Sequence, residues 1–78
     1  MEIKILGTDC SKCNALEKAT REMVAELNID ALVVQEHDIM KILEYGILRT
    51  PGLVINGKLV LSGRVPSQDE LRKFLSKQ

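Results

Sequence analysis

Tryptophan is absent from these 78 residues, and Tyr45 and Phe74 are the only aromatic side chains. A core built here must be aliphatic. Charge is balanced: eleven basic residues meet eleven acidic ones, with no net charge and no basic cluster. That removes the electrostatic footprint needed to hold nucleic acid or an anionic membrane surface. No apolar run approaches the ~18–20 residues of a membrane span, and Met1-Glu2-Ile3-Lys4 lacks the basic start and apolar stretch of a secretion signal. A cytoplasmic protein is expected. Histidine occurs once, as His37, and cysteine twice, as Cys10 and Cys13. A four-ligand zinc site therefore cannot be completed from thiols and imidazoles within one chain.

What is present is concentrated in Thr8-Asp9-Cys10-Ser11-Lys12-Cys13, where the two cysteines form a C-x-x-C after a short apolar run and before an amphipathic stretch. Thiols at this spacing can close a small ring where the chain turns into a helix. With Cys10 at the N-cap, its sulfur faces the unpaired N–H groups of the first turn and the positive end of the helix dipole. Both favour the thiolate and hold the thiol below its ordinary range. Lys12 adds a positive charge that tunes the thiolate the same way, and Asp9 partly opposes it. Cys13, one turn further in, suits a resolving thiol that attacks a mixed disulfide. A structural staple over so short a loop would remove little unfolded-state entropy. Metal binding by the same two thiolates, as in a Cu(I) chaperone, is the reading from another class. Two inert buried cysteines are the third.

The rest of the chain fits one domain over residues 1–78, near the lower size limit for a single core. Glu2 to Leu6, ended by Gly7, reads as a strand. The following helix carries Leu16, Ala19, Met23, Val24 and Leu27 on one face, and Glu17 and Arg21 form an i,i+4 pair on the other. Asn28 marks its C-terminus. Ala31 to Gln35 reads as a second strand, and a β-α-β crossover makes it parallel to the first. Asp38 caps a short helix with Ile39, Ile42 and Leu43 on one face and Gly46 as its stop. His37, beside that cap, reads as a solvated loop residue. Thr50-Pro51 introduces an apolar strand from Gly52 to Ile55. Asn56-Gly57 is a hairpin signal leading into Lys58 to Ser62. Ser67 and Glu70 form a capping box for a last helix with Leu71, Phe74 and Leu75 as its stripe. Lys77 and Gln78 read as a frayed end.

This β-α-β-α-β-β-α order, with C-x-x-C between the first strand and helix and Thr-Pro before the third strand, resembles the thioredoxin and glutaredoxin superfamily. Within it, the likeness is greatest to the small archaeal and bacterial thioredoxin-like proteins of glutaredoxin size. The resemblance implies an α/β thioredoxin-like fold with a four-stranded mixed sheet in the order 2-1-3-4 and helices on both faces. It also implies roles: Cys10 as nucleophile, Cys13 as resolving thiol, Pro51 as a cis-proline beside the disulfide, and Thr50 as the backbone on which an extended substrate docks. No cofactor is implied beyond a reversible Cys10–Cys13 disulfide. The expected partners are a disulfide reductase and protein disulfides, with the chain a monomer.

Departures from the family are specific. Ser11-Lys12 stands where thioredoxins carry Gly-Pro and most glutaredoxins Pro-Tyr, and Asp9 stands where thioredoxins place tryptophan. The first strand lacks the family's buried aspartate. Gly63-Arg64-Val65-Pro66 replaces the residues with which glutaredoxins hold glutathione. Against the copper-chaperone reading, Thr8 occupies the position of that family's methionine, and a terminal helix follows the hairpin instead of a last strand.

Overall fold

Gly7 passes directly beneath the helix that follows the cysteine motif, and two hydrogen-bonded neighbours of its strand set the frame for the sheet. The computed structural model describes residues 1–7, 11–47 and 49–76. Its elements are β1 (Glu2–Leu6), α1 (Ser11–Glu26), β2 (Leu32–Glu36), α2 (Ile39–Glu44), β3 (Gly52–Ile55), β4 (Lys58–Ser62) and α3 (Gln68–Ser76). The strands form one sheet in the order β2-β1-β3-β4, so the fold is thioredoxin-like with the expected element order. β1 is parallel to β2 and antiparallel to β3, and β3 is antiparallel to β4. No helix among the described residues is long and apolar enough to cross a membrane.

Strand alternation divides the core into two layers. Ile3, Ile5, Val33, Leu53 and Ile55 point to one face, where they pack with Leu16 and Met23 of α1 and Leu71 and Leu75 of α3. Leu6 and Val54 point to the other, where Ile42 and Ile47 cover them. Most of these side chains are fully buried. Each contributes about 1.5–3 kcal/mol of transfer free energy. Phe74 is only partly buried at the edge of the first layer. On the second face α2 has six residues and buries Ile42 alone. Ile39 and Leu43, read from sequence as its shared face, are 53% and 51% exposed. A helix of little more than one turn reaches the sheet with a single side chain.

Local chemistry sets the boundaries. α1 ends in a Schellman arrangement. Asn28 has φ 55°, its N–H donates to Ala25 O, and the Ile29 N–H donates to Val24 O at 3.0 Å. Asp38 accepts the Met40 N–H at 3.0 Å and caps α2. The Ser67 Oγ accepts the Glu70 N–H at 3.2 Å while Glu70 Oε1 accepts the Ser67 N–H at 3.3 Å. Together these two bonds close the capping box of α3. Asn56 and Gly57 have φ 51° and 83°. A two-residue hairpin turn of type I′ requires such left-handed values at both positions. Asn56 also reaches across the sheet: its Oδ1 accepts the Glu2 N–H at 2.9 Å, and its N–H donates to Glu2 O at 2.7 Å. The charged face of α1 is more than solvated surface, because Arg21 donates to Glu17 and also to the Val33 carbonyl at 2.9 Å. β2 begins at Leu32, one residue later than the sequence pattern indicates, where the Leu32 N–H donates to Met1 O.

In β4 the register against β3 slips. Leu53 pairs with Leu61 and Val54 with Leu59, which leaves Val60 as the extra residue of a bulge. Val60 and Leu61 both pack on the α1/α3 side, and Leu59 packs on the α2 side.

Candidate active site

The site lies where β1 ends, α1 begins and the loop before β3 closes over them. Cys13 sits in the first turn of α1, fully buried and disulfide-bonded. Cys10, its expected partner and the expected nucleophile, lies outside the described residues together with Thr8 and Asp9, and so does the N-cap assigned to Cys10. Lys12 falls in the same turn and is exposed, so its ammonium is solvated.

Gly7 makes this approach possible. A methyl group on Gly7 would lie 3.0 Å from Cys13 Cβ and closer still to Cys13 Sγ, with Thr50 Cβ at 3.9 Å. The hydrogen atom of glycine is what lets the end of β1 pass under the sulfur. Its backbone is held there by the Gly7 N–H donating to Glu36 O at 3.1 Å. The sequence marks Gly7 only as the end of a strand. A glycine directly between an apolar strand and a cysteine motif is the signal available for its second role.

The Thr50–Pro51 peptide bond is cis. Pro51 is buried, Thr50 is exposed, and Thr50 is the residue beside Gly7 and Cys13. The Gly63 N–H donates to Pro51 O at 2.8 Å, which fixes the turn to the segment after β4. Thr50 and Cys13, from distant parts of the chain, thus meet at Gly7, with Pro51 next in sequence to Thr50.

Two polar atoms lie in the layer between α1 and the sheet. Thr20 Oγ1 and Gln35 Nε2 are buried and make no hydrogen bond. Thr20 shares the buried face of α1 with Cys13 and Leu16, and Gln35 stands opposite Ile5 in the neighbouring strand. The apolar stripe read from the sequence, Leu16, Ala19, Met23, Val24 and Leu27, does not include Thr20, because a hydroxyl residue is not counted in an apolar pattern. No carboxylate of β1 enters this layer, since its one acidic residue, Glu2, is exposed.

After β4, Arg64 does not face the site as a free cation. It makes a two-point ion pair with Glu70, at 2.8 and 2.6 Å. That bond, with the Ser67 N–H as a further donor, holds the Glu70 carboxyl well below its ordinary range, at about 2. Among the described residues no three His, Cys, Asp or Glu side chains come together as a metal would require. The helix after β4 also departs from the chaperone pattern that ends in a strand.

Comparison with known proteins covers nearly the whole chain. The family model for the thioredoxin domain matches residues 1–76. A thioredoxin of Methanothermobacter thermautotrophicus is 46% identical over 76 residues, covering 97% of this chain and 99% of that protein. A thioredoxin of Methanocaldococcus jannaschii is 37% identical over 73 residues, covering 94% of this chain and 84% of that protein. With a cis-proline loop and a buried cysteine meeting over a four-stranded 2-1-3-4 sheet, the chain belongs to the thioredoxin domain family.

Proposed function

We propose that the protein is a thiol–disulfide oxidoreductase of the cytoplasm that reduces protein disulfides through a Cys10–Cys13 couple. The observation that carries this reading is the buried, disulfide-bonded Cys13 in the first turn of α1, packed against Gly7 beside the cis Thr50–Pro51 bond. The Cys10 thiolate attacks one sulfur of a substrate disulfide, forming a mixed disulfide and releasing the other substrate sulfur as a thiolate. The Cys13 thiolate then attacks Cys10 sulfur, releasing the second substrate thiol and leaving the protein oxidised. A disulfide reductase returns two electrons and two protons to restore the dithiol. Thr50 offers its backbone to an extended substrate segment, and Lys12 favours the Cys10 thiolate. A couple that must return to the dithiol form fits a reducing compartment.

The test is a pair of single substitutions assayed for reduction of a protein disulfide. Cys10→Ser abolishes turnover, and Cys13→Ser accumulates covalent complexes that dithiothreitol releases. Undiminished turnover by Cys10→Ser would sink the assignment. Stoichiometric Cu(I) binding by a protein with no stable oxidised form would transfer the two thiols to metal traffic.

A further inference from the structure

The chain has four arginines, and three of them are committed to carboxylates: Arg21 to Glu17, Arg64 to Glu70, and Arg72 to Glu26 and Asp69. Arg49 is the exception among the described residues; it is exposed and makes no ion pair. It also directly precedes Thr50, the residue beside Gly7 and Cys13.

Its stem lies alongside Gly63. Arg49 Cβ and Cδ lie 3.5 and 3.6 Å from where a side chain on Gly63 would begin. Gly63 has φ 86°, and its N–H is bonded to Pro51 O. L side chains rarely adopt that conformation, which glycine enters freely. The bare backbone at Gly63 is therefore a bed for the arginine stem, tied to the same turn that carries the cis bond. The stem runs alongside Gly63, and the exposed side chain carries its guanidinium out from that turn. The planar fork of an arginine without a carboxylate partner among the described residues matches an incoming carboxylate at two points.

We propose that Arg49 is a specificity residue that reads a carboxylate next to the disulfide of the substrate. This rests on the oxidoreductase reading above. A substrate strand paired with the Thr50 backbone advances about 3.3 Å per residue, so an Asp or Glu within about three residues of the substrate cysteine comes within reach of position 49. The preferred substrates are disulfides flanked by acidic residues.

The experiment uses single-turnover mixing of the reduced protein with two cyclic peptides, each closed by one internal disulfide. They are identical except that one has Glu and the other Gln beside the cysteine. Thiol release is followed by alkylation and mass. The wild type reduces the Glu peptide about two- to five-fold faster at low salt, the preference expected of an exposed ion pair, and the difference fades as ionic strength rises. Arg49→Gln brings the ratio to one, Arg49→Lys keeps part of it, and Arg49→Glu inverts it. Equal rates on both peptides in the wild type overturn the role of Arg49 and leave the oxidoreductase reading standing. So does a preference that survives Arg49→Gln and disappears in Lys12→Gln. Reduction of neither peptide overturns the oxidoreductase reading and this inference with it.

Discussion

Gly7→Ala is the sharpest probe of the site. Gly7 lies outside the left-handed φ region that holds Gly46, Gly57 and Gly63, so the substitution adds volume without adding backbone strain. The added methyl meets Cys13 Cβ at 3.0 Å and its Sγ inside contact distance. Cys13 cannot yield easily, because it is fully buried and its sulfur is bridged. Either the end of β1 or the first turn of α1 must shift. Overpacking of this kind costs about 1–3 kcal/mol, and the reduced freedom of alanine in the unfolded chain returns about 0.4–1 kcal/mol. A net loss of about 1–2 kcal/mol corresponds to roughly 4–16 °C in Tm for a domain of this size. The loss is larger in the oxidised protein, because a free Cys13 thiol can rotate away from the methyl. A difference of about 1 kcal/mol between the two forms raises the potential of the couple by roughly 20 mV. Thermal melts of both redox forms and titration in dithiothreitol buffers measure the two effects. Gly57→Ala is the control: it has open space around it and φ 83°, so it destabilises both forms equally. An unchanged Tm for Gly7→Ala, or the same loss in both redox forms, would refute the reasoning.

Three further outcomes follow from the same structure. Thr20 carries a buried hydroxyl with no partner. Thr20→Val replaces it by a methyl of similar shape and stabilises by about 1 kcal/mol in denaturant unfolding; destabilisation would mean that the hydroxyl is satisfied. Glu70, held at about 2 by Arg64, contributes stability that is present above its ordinary value of 4.5 and lost as pH falls towards 2. Glu70→Gln therefore flattens the acid limb of the stability profile between those values, and an unchanged acid limb would count against the ion pair. Asn56→Ala removes the acceptor for the Glu2 N–H and forces alanine to φ 51°. The two costs together come to about 2 kcal/mol by chemical denaturation. Asn56→Gly relieves only the second cost and falls between alanine and the wild type; equal losses for the two variants would remove the backbone part of the argument.

What the sequence made legible is chemistry carried by neighbouring residues. Asp38, Asn28, Asn56-Gly57 and the Ser67/Glu70 pair each act within a few positions of themselves, so side-chain type and spacing suffice to place them. The parallel β1/β2 pair follows from the crossover, whereas the order 2-1-3-4 and the cis bond at Pro51 came from family resemblance. Other features depend on what the fold brings together. Gly7 acquires its role only when α1 folds back over β1. Arg21 finds the Val33 carbonyl only once α1 lies on β2. Strict alternation along Lys58 to Ser62 would put Leu59 and Leu61 on one face, and the bulge at Val60 sends them to opposite faces. The exposure of Ile39 and Leu43 depends on how much of a short helix reaches the sheet. Cys10, the centre of the sequence argument, lies outside the described residues, and its role rests on the experiments above.

The contact between Arg21 and Val33 bears on how the sheet ends. The Leu32 N–H and the Glu36 carbonyl bond inward, to Met1 and Gly7. The alternate residues Val33 and Gln35 therefore turn their backbone groups towards the open side of β2. Arg21 occupies the Val33 carbonyl there. At the opposite margin, the bulge at Val60 distorts the outer rim of β4. A strand arriving from another copy must displace an arginine on one side or follow a distorted rim on the other. The molecule thereby resists growing by sheet extension, a hazard for any small protein with two open edges.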